Sequence, residues 1–141
     1  MTLQVVIDTN VILAALRSRR GASFRLLSML GRKDFEINVS VPLVLEYEDA
    51  AKRMAREAGL THADIDDVLD YICRVANRRQ IFFLWRPYLK DSHDDLVLEV
   101  AVEANCDFII TYNVRDFLGA EHFGVRIVTP KEFLQTIGAL P

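Results

Sequence analysis

The sequence predicts a three-layer α/β/α fold around a central, mostly parallel sheet of about five strands. Three observations carry this expectation. Residues 3–7 form a nearly continuous β-branched run, the pattern of a strand buried on both faces. Short apolar runs of this kind then alternate with stretches of helical period along the chain. Polar residues, several of them carboxylates, follow the early strands where each should hand over to its helix.

The elements follow in order. After the strand at 3–7, residues 11–16 and 23–30 read as helical, with Gly21 and Gly31 as breaks. A second strand at 36–41 runs into Pro42, which suits the first turn of a helix continuing to about residue 57 and stopping at Gly59. Thr61 and Asp64 have the spacing of a capping box. Ile65, Val68, Leu69, Ile72, Val75 and Ala76 then share one helical face. A third strand is expected at 80–84, with a loop at 85–90 in which Trp85 and Tyr88 cover an edge of the core. Asp91 and Ser92 precede a helix whose inward side carries Leu96, Val97, Val100, Ala101 and Ala104. Strands at 107–110 and 125–128 follow, and Pro130 opens a last helix through residue 137. No repeat or linker interrupts the series, so residues 1–141 are expected to form one domain.

Composition narrows the function classes. Hydrophobic residues make up 51% and charged residues 26%, which excludes a disordered or low-complexity chain. No apolar stretch is long enough to span a bilayer, and Met1-Thr2-Leu3 runs straight into strand-like residues; the expectation is a cytoplasmic protein with no membrane partner. Cys73 and Cys106 lack metal-ligand spacing and read as buried thiols. The net charge of −3 argues against coating nucleic acid by bulk attraction. Cations are nevertheless clustered, at Arg17, Arg19, Arg20, Arg25, Arg32 and Lys33 and again at Arg74, Arg78, Arg79 and Arg86. Either group can follow a phosphate backbone or simply form a solvated helix face.

A parallel sheet gathers the loops that follow its strands along one edge, so Asp8, Glu46, Asp94 and Asp116 should meet there. Three or four such acids repel one another unless a cation lies between them. Hard divalent ions, magnesium above all, take oxygen ligands of this kind. One or two such ions support phosphodiester hydrolysis without a covalent enzyme intermediate.

Four blocks carry a family resemblance: Ile7-Asp8-Thr9-Asn10-Val11; the helix of Glu46; Asp91-Ser92-His93-Asp94-Asp95 running into Leu98-Glu99-Val100-Ala101; and Ile109-Ile110-Thr111-Tyr112-Asn113-Val114-Arg115-Asp116-Phe117. In order and spacing, over nearly the whole chain to Thr129-Pro130-Lys131-Glu132-Phe133, the sequence resembles a PIN domain. The resemblance implies a Mg2+- or Mn2+-dependent endoribonuclease. It also implies kinship with VapC-like toxins, which are neutralised by an antitoxin protein, and a homodimer. By position it makes Asp8 the first metal-binding carboxylate and Glu46 the second. Asp94 is the third because the following helix reaches Ala101 at the family's offset, with Asp91 and Asp95 as rivals. Ser92-His93 stands where the family commonly has proline and another acid. Asp116 is the acidic candidate for the fourth position, and Asn113 its rival, able to hold a water or substrate through its amide. Thr9, Asn10 and Thr111 are expected to support these groups from behind.

Each residue also has a plainer reading. Asp8, Thr9 or Asn10 can cap a helix, Asp91 and its neighbours suit a helix start, and Asn113 and Asp116 suit turns. His93 reads as an exposed loop histidine, and His62 and His122 have no partners at metal-ligand spacing. A receiver domain would need paired acids after the first strand. A haloacid-dehalogenase-type phosphatase would need an acid where Asn10 stands. The remaining competitor is a catalytically silent PIN-like module that binds RNA or protein.

Overall fold

A computed structural model describes residues 2–82 and 88–141. Five strands, β1 (Leu3–Ile7), β2 (Phe35–Val39), β3 (Asn77–Arg78), β4 (Phe108–Ile110) and β5 (Arg126–Val128), alternate with six helices among the described residues. The helices are α1 (Thr9–Arg17), α2 (Ala22–Ser28), α3 (Val41–Met54), α4 (His62–Val75), α5 (Ser92–Glu103) and α6 (Pro130–Thr136). Two short 3-10 helices, Val114–Phe117 and Ala120–Phe123, lie between β4 and β5.

The sheet order is β3-β2-β1-β4-β5, and every pairing is parallel. The β-branched run of β1 therefore occupies the centre, with Val5, Val6 and Ile7 wholly buried. The chain builds outward from β1 to β3, then crosses back to place β4 on the other side of β1. Strand order reverses between β1 and β4, and at such a point the two following loops diverge and leave a crevice. Ile7 pairs with Ile110, and the Asp8 N–H donates to the Ile110 carbonyl at 2.9 Å. The crevice thus opens between Asp8 and Thr111.

Helices on both sides close the core. Leu43, Tyr47 and Ala51 of α3, Ile65, Leu69 and Ile72 of α4, and Val97, Leu98 and Val100 of α5 are buried. Phe133 of α6 meets Phe35 and Phe108 edge-on, with ring centroids 5.1 and 5.4 Å apart. The capping box at Thr61 and Asp64 forms, and Thr129 with Glu132 makes a second. Ser40 caps α3, with Pro42 in its first turn.

The third strand and the end of α3 differ most from the sequence reading. The third strand is Asn77–Arg78, while residues 80–82 are not strand and 83–84 lie outside the described residues, as does Trp85. Polar contacts place this edge strand: Asn77 donates to Gln4 and Glu36, and the Arg79 N–H reaches the Val39 carbonyl at 2.7 Å. Helix α3 ends at Met54, and a turn of mixed α- and 3-10-type hydrogen bonds carries the chain to Gly59. Tyr88 packs on Phe123 and donates to the Gly119 carbonyl, so it covers the second 3-10 helix. Cys73 and Cys106 are free thiols, and burial pushes the Cys106 thiol up to about 12. No helix among the described residues is long and apolar enough to cross a membrane.

Candidate metal centre

Asp8 follows β1 directly and caps α1: one carboxylate oxygen accepts the Thr9 N–H at 2.8 Å. The other accepts the Thr111 hydroxyl at 2.7 Å, across the crevice between β1 and β4. Thr111 is fully buried and also accepts the Asn113 N–H at 3.0 Å. Burial raises the Asp8 carboxyl above its usual range, and the charges of Glu46 and Asp116 add to the rise. The hydrogen bonds from Thr111 and Thr9 oppose it.

Glu46 reaches the site through α3. Its neighbour Tyr47, wholly buried, donates its hydroxyl to the Ile7 carbonyl and pins the helix to the end of β1. The Glu46 carboxylate is paired with Nδ1 of His93. His93 is therefore not a loop histidine. It lies in the first turn of α5, exposed to solvent, and this hydrogen bond raises its pKa. No sequence signal joins positions 46 and 93, because the pairing exists only once α3 and α5 lie side by side.

The three acids at the start of α5 separate by role. Asp91 caps the helix, accepting the His93 N–H at 2.9 Å. Asp95, 1% exposed, accepts the Leu89 N–H at 3.0 Å and holds the preceding loop. Asp94 is buried, within reach of the charges of Asp8 and Asp116. Burial first, then the charges of Asp8, Asp91, Asp116 and Asp95, push its pKa up to about 7. Asp116 stands exposed on the first 3-10 helix, and Asn113 precedes that helix. Asn10 accepts the Tyr112 N–H at 3.3 Å, which ties the loop after β4 to α1.

Asp91, Asp94 and Asp116 line a cleft of about 530 Å³ together with Tyr88, Lys90 and Arg115. Lys90 and Arg115 are not among the sequence candidates, since nothing about a lone cation in a loop marks it as facing acids. Among the described residues no three His, Cys, Asp or Glu side chains are drawn together to metal-ligating separation. The donor set nevertheless fits a hard cation. Asp8 and Asp94 are largely buried, they repel each other and Asp116, and all their donors are oxygens.

Fold and site together define a class: a parallel α/β protein that collects carboxylates at the switch point of its sheet. The chain belongs to the PIN-domain family of nucleases, whose family model matches residues 4–115. The match includes Asp8, Glu46, Asp94 and Asn113 and ends one residue before Asp116. Among solved structures, the fold is similar to a chain of VapBC2 from Rickettsia felis bound to a DNA fragment from their promoter. The TM-score is 0.60 at 14% identity, over 89% of this chain and 97% of that one. No curated protein matches the sequence.

Proposed function

We propose that the protein is a metal-dependent endoribonuclease. The carrying observation is the pair of buried acids, Asp8 and Asp94, which feel each other's charge and that of Asp116 at the switch point of a PIN domain. Asp8, Glu46, Asp94 and Asp116 would hold Mg2+ or Mn2+, which supplies Lewis-acid polarisation of the phosphodiester and makes water beside it more acidic. The chain's own groups do the rest. Thr111 fixes the rotamer of Asp8 by its hydroxyl. Asp91 and Asp95 order the start of α5 and so present Asp94. Lys90 and Arg115, in the same cleft, attract and orient the RNA phosphates. Water then replaces the leaving ribose oxygen at phosphorus, with no bond to the protein.

The narrower reading is a toxin in a toxin–antitoxin pair, acting in the cytoplasm, as a homodimer by the family resemblance. Two observations favour a protein partner. The similar solved structure is a VapBC2 complex. An apolar groove of about 340 Å³, lined by Leu16, Phe24, Leu27, Val68 and Tyr71, also lies open between α1, α2 and α4.

Wild type and Asp8→Asn, purified identically, are incubated with a structured RNA pool in EDTA, Mg2+ and Mn2+, and metal binding is followed by calorimetry. Cleavage by wild type alone, and only with metal, is expected. No cleavage together with no metal binding would overturn the assignment in favour of a silent binding module.

A further inference from the structure

The cations at the start of α2 and in the turn before it lie outside the lining of the acidic cleft. Arg19, Arg20 and Arg25 line a groove of about 460 Å³ with Lys131 of α6 and the ring of Phe24. No carboxylate lines it, and among the described residues no salt bridge engages any of the four cations. Elsewhere the contrast is clear: Lys52 is paired with Glu48 and Asp66, and Arg53 with Asp49. On a chain of net charge −3, four uncompensated cations around one groove form a local positive field.

The groove is joined to the acidic site by a short series of contacts. Thr111 bonds to Asp8, and Tyr112, the next residue, joins its hydroxyl to that of Ser23 on α2, two residues before Arg25. On the other wall, the Thr111 N–H donates to the Val128 carbonyl at 2.9 Å, and Lys131 follows three residues later at the same sheet edge. The groove and the acids therefore share one edge of the sheet. Phe24, partly exposed among the arginines, offers a face on which a base can stack.

We infer that this groove binds the phosphate backbone of single-stranded RNA and leads the strand to the acidic site. Cations lining a groove together with an aromatic ring suit an unpaired strand, whose bases are free to stack. The inference deepens the nuclease reading and rests on it for the destination of the strand.

The test measures binding of a short fluorescein-labelled oligouridine by anisotropy in EDTA, across a salt series. Wild type is compared with Arg20→Gln/Arg25→Gln and with a control of equal charge change, Arg53→Gln/Arg56→Gln, on and beyond the far end of α3. The groove pair should weaken binding at least about tenfold and lower the slope of log affinity against log salt by about 1.4, near 0.7 for each phosphate that is no longer neutralised. The control should leave both unchanged. Equal effects of the two pairs, or no RNA binding by wild type, would overturn the groove. So would RNA binding indifferent to the groove pair while polyglutamate binds wild type and is released by it, since the surface would then serve an acidic protein. Metal-dependent cleavage, assayed alongside, separates the two ideas. Cleavage with groove-independent binding refutes the groove alone, whereas groove-dependent binding without cleavage refutes the nuclease and keeps the groove.

Discussion

The hydroxyl of Thr111 makes the contact on which the geometry of Asp8 depends. Without it, one oxygen of a buried carboxylate is left without its partner, and the side chain is held only by the Thr9 N–H. Groups that orient metal-binding carboxylates from behind typically carry about 10–100-fold in metal affinity. Thr111→Val is therefore expected to weaken Mg2+ binding in calorimetry by that factor and to lower stability by about 1–3 kcal/mol in urea denaturation. Thr111→Ser, which keeps the hydroxyl, should restore most of both. An affinity unchanged in Thr111→Val would show that Asp8 is positioned by its backbone alone. Asp8 itself is legible in the sequence in both its capping and its candidate roles, because a carboxylate ending a buried strand suits a helix cap and the acids after later strands add the second reading. Thr111 is legible only as a position, since threonines end many strands and the bond to Asp8 spans about a hundred residues. The place of His93 is hidden for the same reason: its partner Glu46 lies on another helix, and only packing brings the two together.

Among the elements, α3 shows how a helix aims a functional group. Its N-terminus is set locally, by the Ser40 cap and Pro42, and both are readable from sequence. Its rotation and height against the sheet are set by Tyr47, whose hydroxyl is bound to the Ile7 carbonyl one residue before Asp8. Burial raises the Tyr47 phenol well above its usual range, so it remains a neutral donor at any working pH. Tyr47→Phe leaves the ring's packing intact and removes the donor, for an expected loss of about 1–3 kcal/mol in urea denaturation. Because Glu46 is adjacent, the same variant should also weaken metal binding, and full retention of both properties would separate α3 placement from this bond. Elements with local signals are legible: the capping box of α4, the Pro130 start of α6 and the β-branched β1 all stand where expected. Strand β3 lies away from its expected position because it is not held by apolar burial. Side-chain amides and carboxylates of Asn77, Gln4 and Glu36 fix it, and no periodicity in the sequence announces such a network. The 3-10 helices after β4 leave no sequence signal because they are single short turns with no repeating face.

At the scale of the whole molecule, the sheet order brings Asp8, Glu46, Asp94 and Asp116 from distant segments within reach of one another's charge and so ties stability to pH. The alternation of elements predicts a parallel sheet, but which strand neighbours which is decided by long-range pairing, and the crevice between β1 and β4 follows from that order alone. Folding brings Asp94 from an ordinary pKa of 3.8 to about 7, chiefly by burial and then by the charges of its neighbours. Asp8 moves in the same direction for the same leading reason. Between these limits the folded chain holds more protons than the unfolded one, so stability falls as pH rises from about 4 through 7. His93 acts in the same sense: its raised pKa reflects the bond to Glu46, a contribution present at acid pH and lost as pH rises through the folded value. The metal-free protein, in EDTA, is therefore expected to melt at a higher temperature near pH 5.5 than near pH 8. A divalent cation reverses the balance, because it takes the place of the protons on the carboxylates, and its stabilisation should be larger near pH 8 than near pH 5.5. Asp94→Asn removes the main titrating group and should flatten the metal-free profile while abolishing most of the stabilisation by Mg2+. Scanning calorimetry of both proteins at the two pH values, with and without Mg2+, checks each part. A metal-free melting temperature that rises with pH would mean that the acids do not share one site.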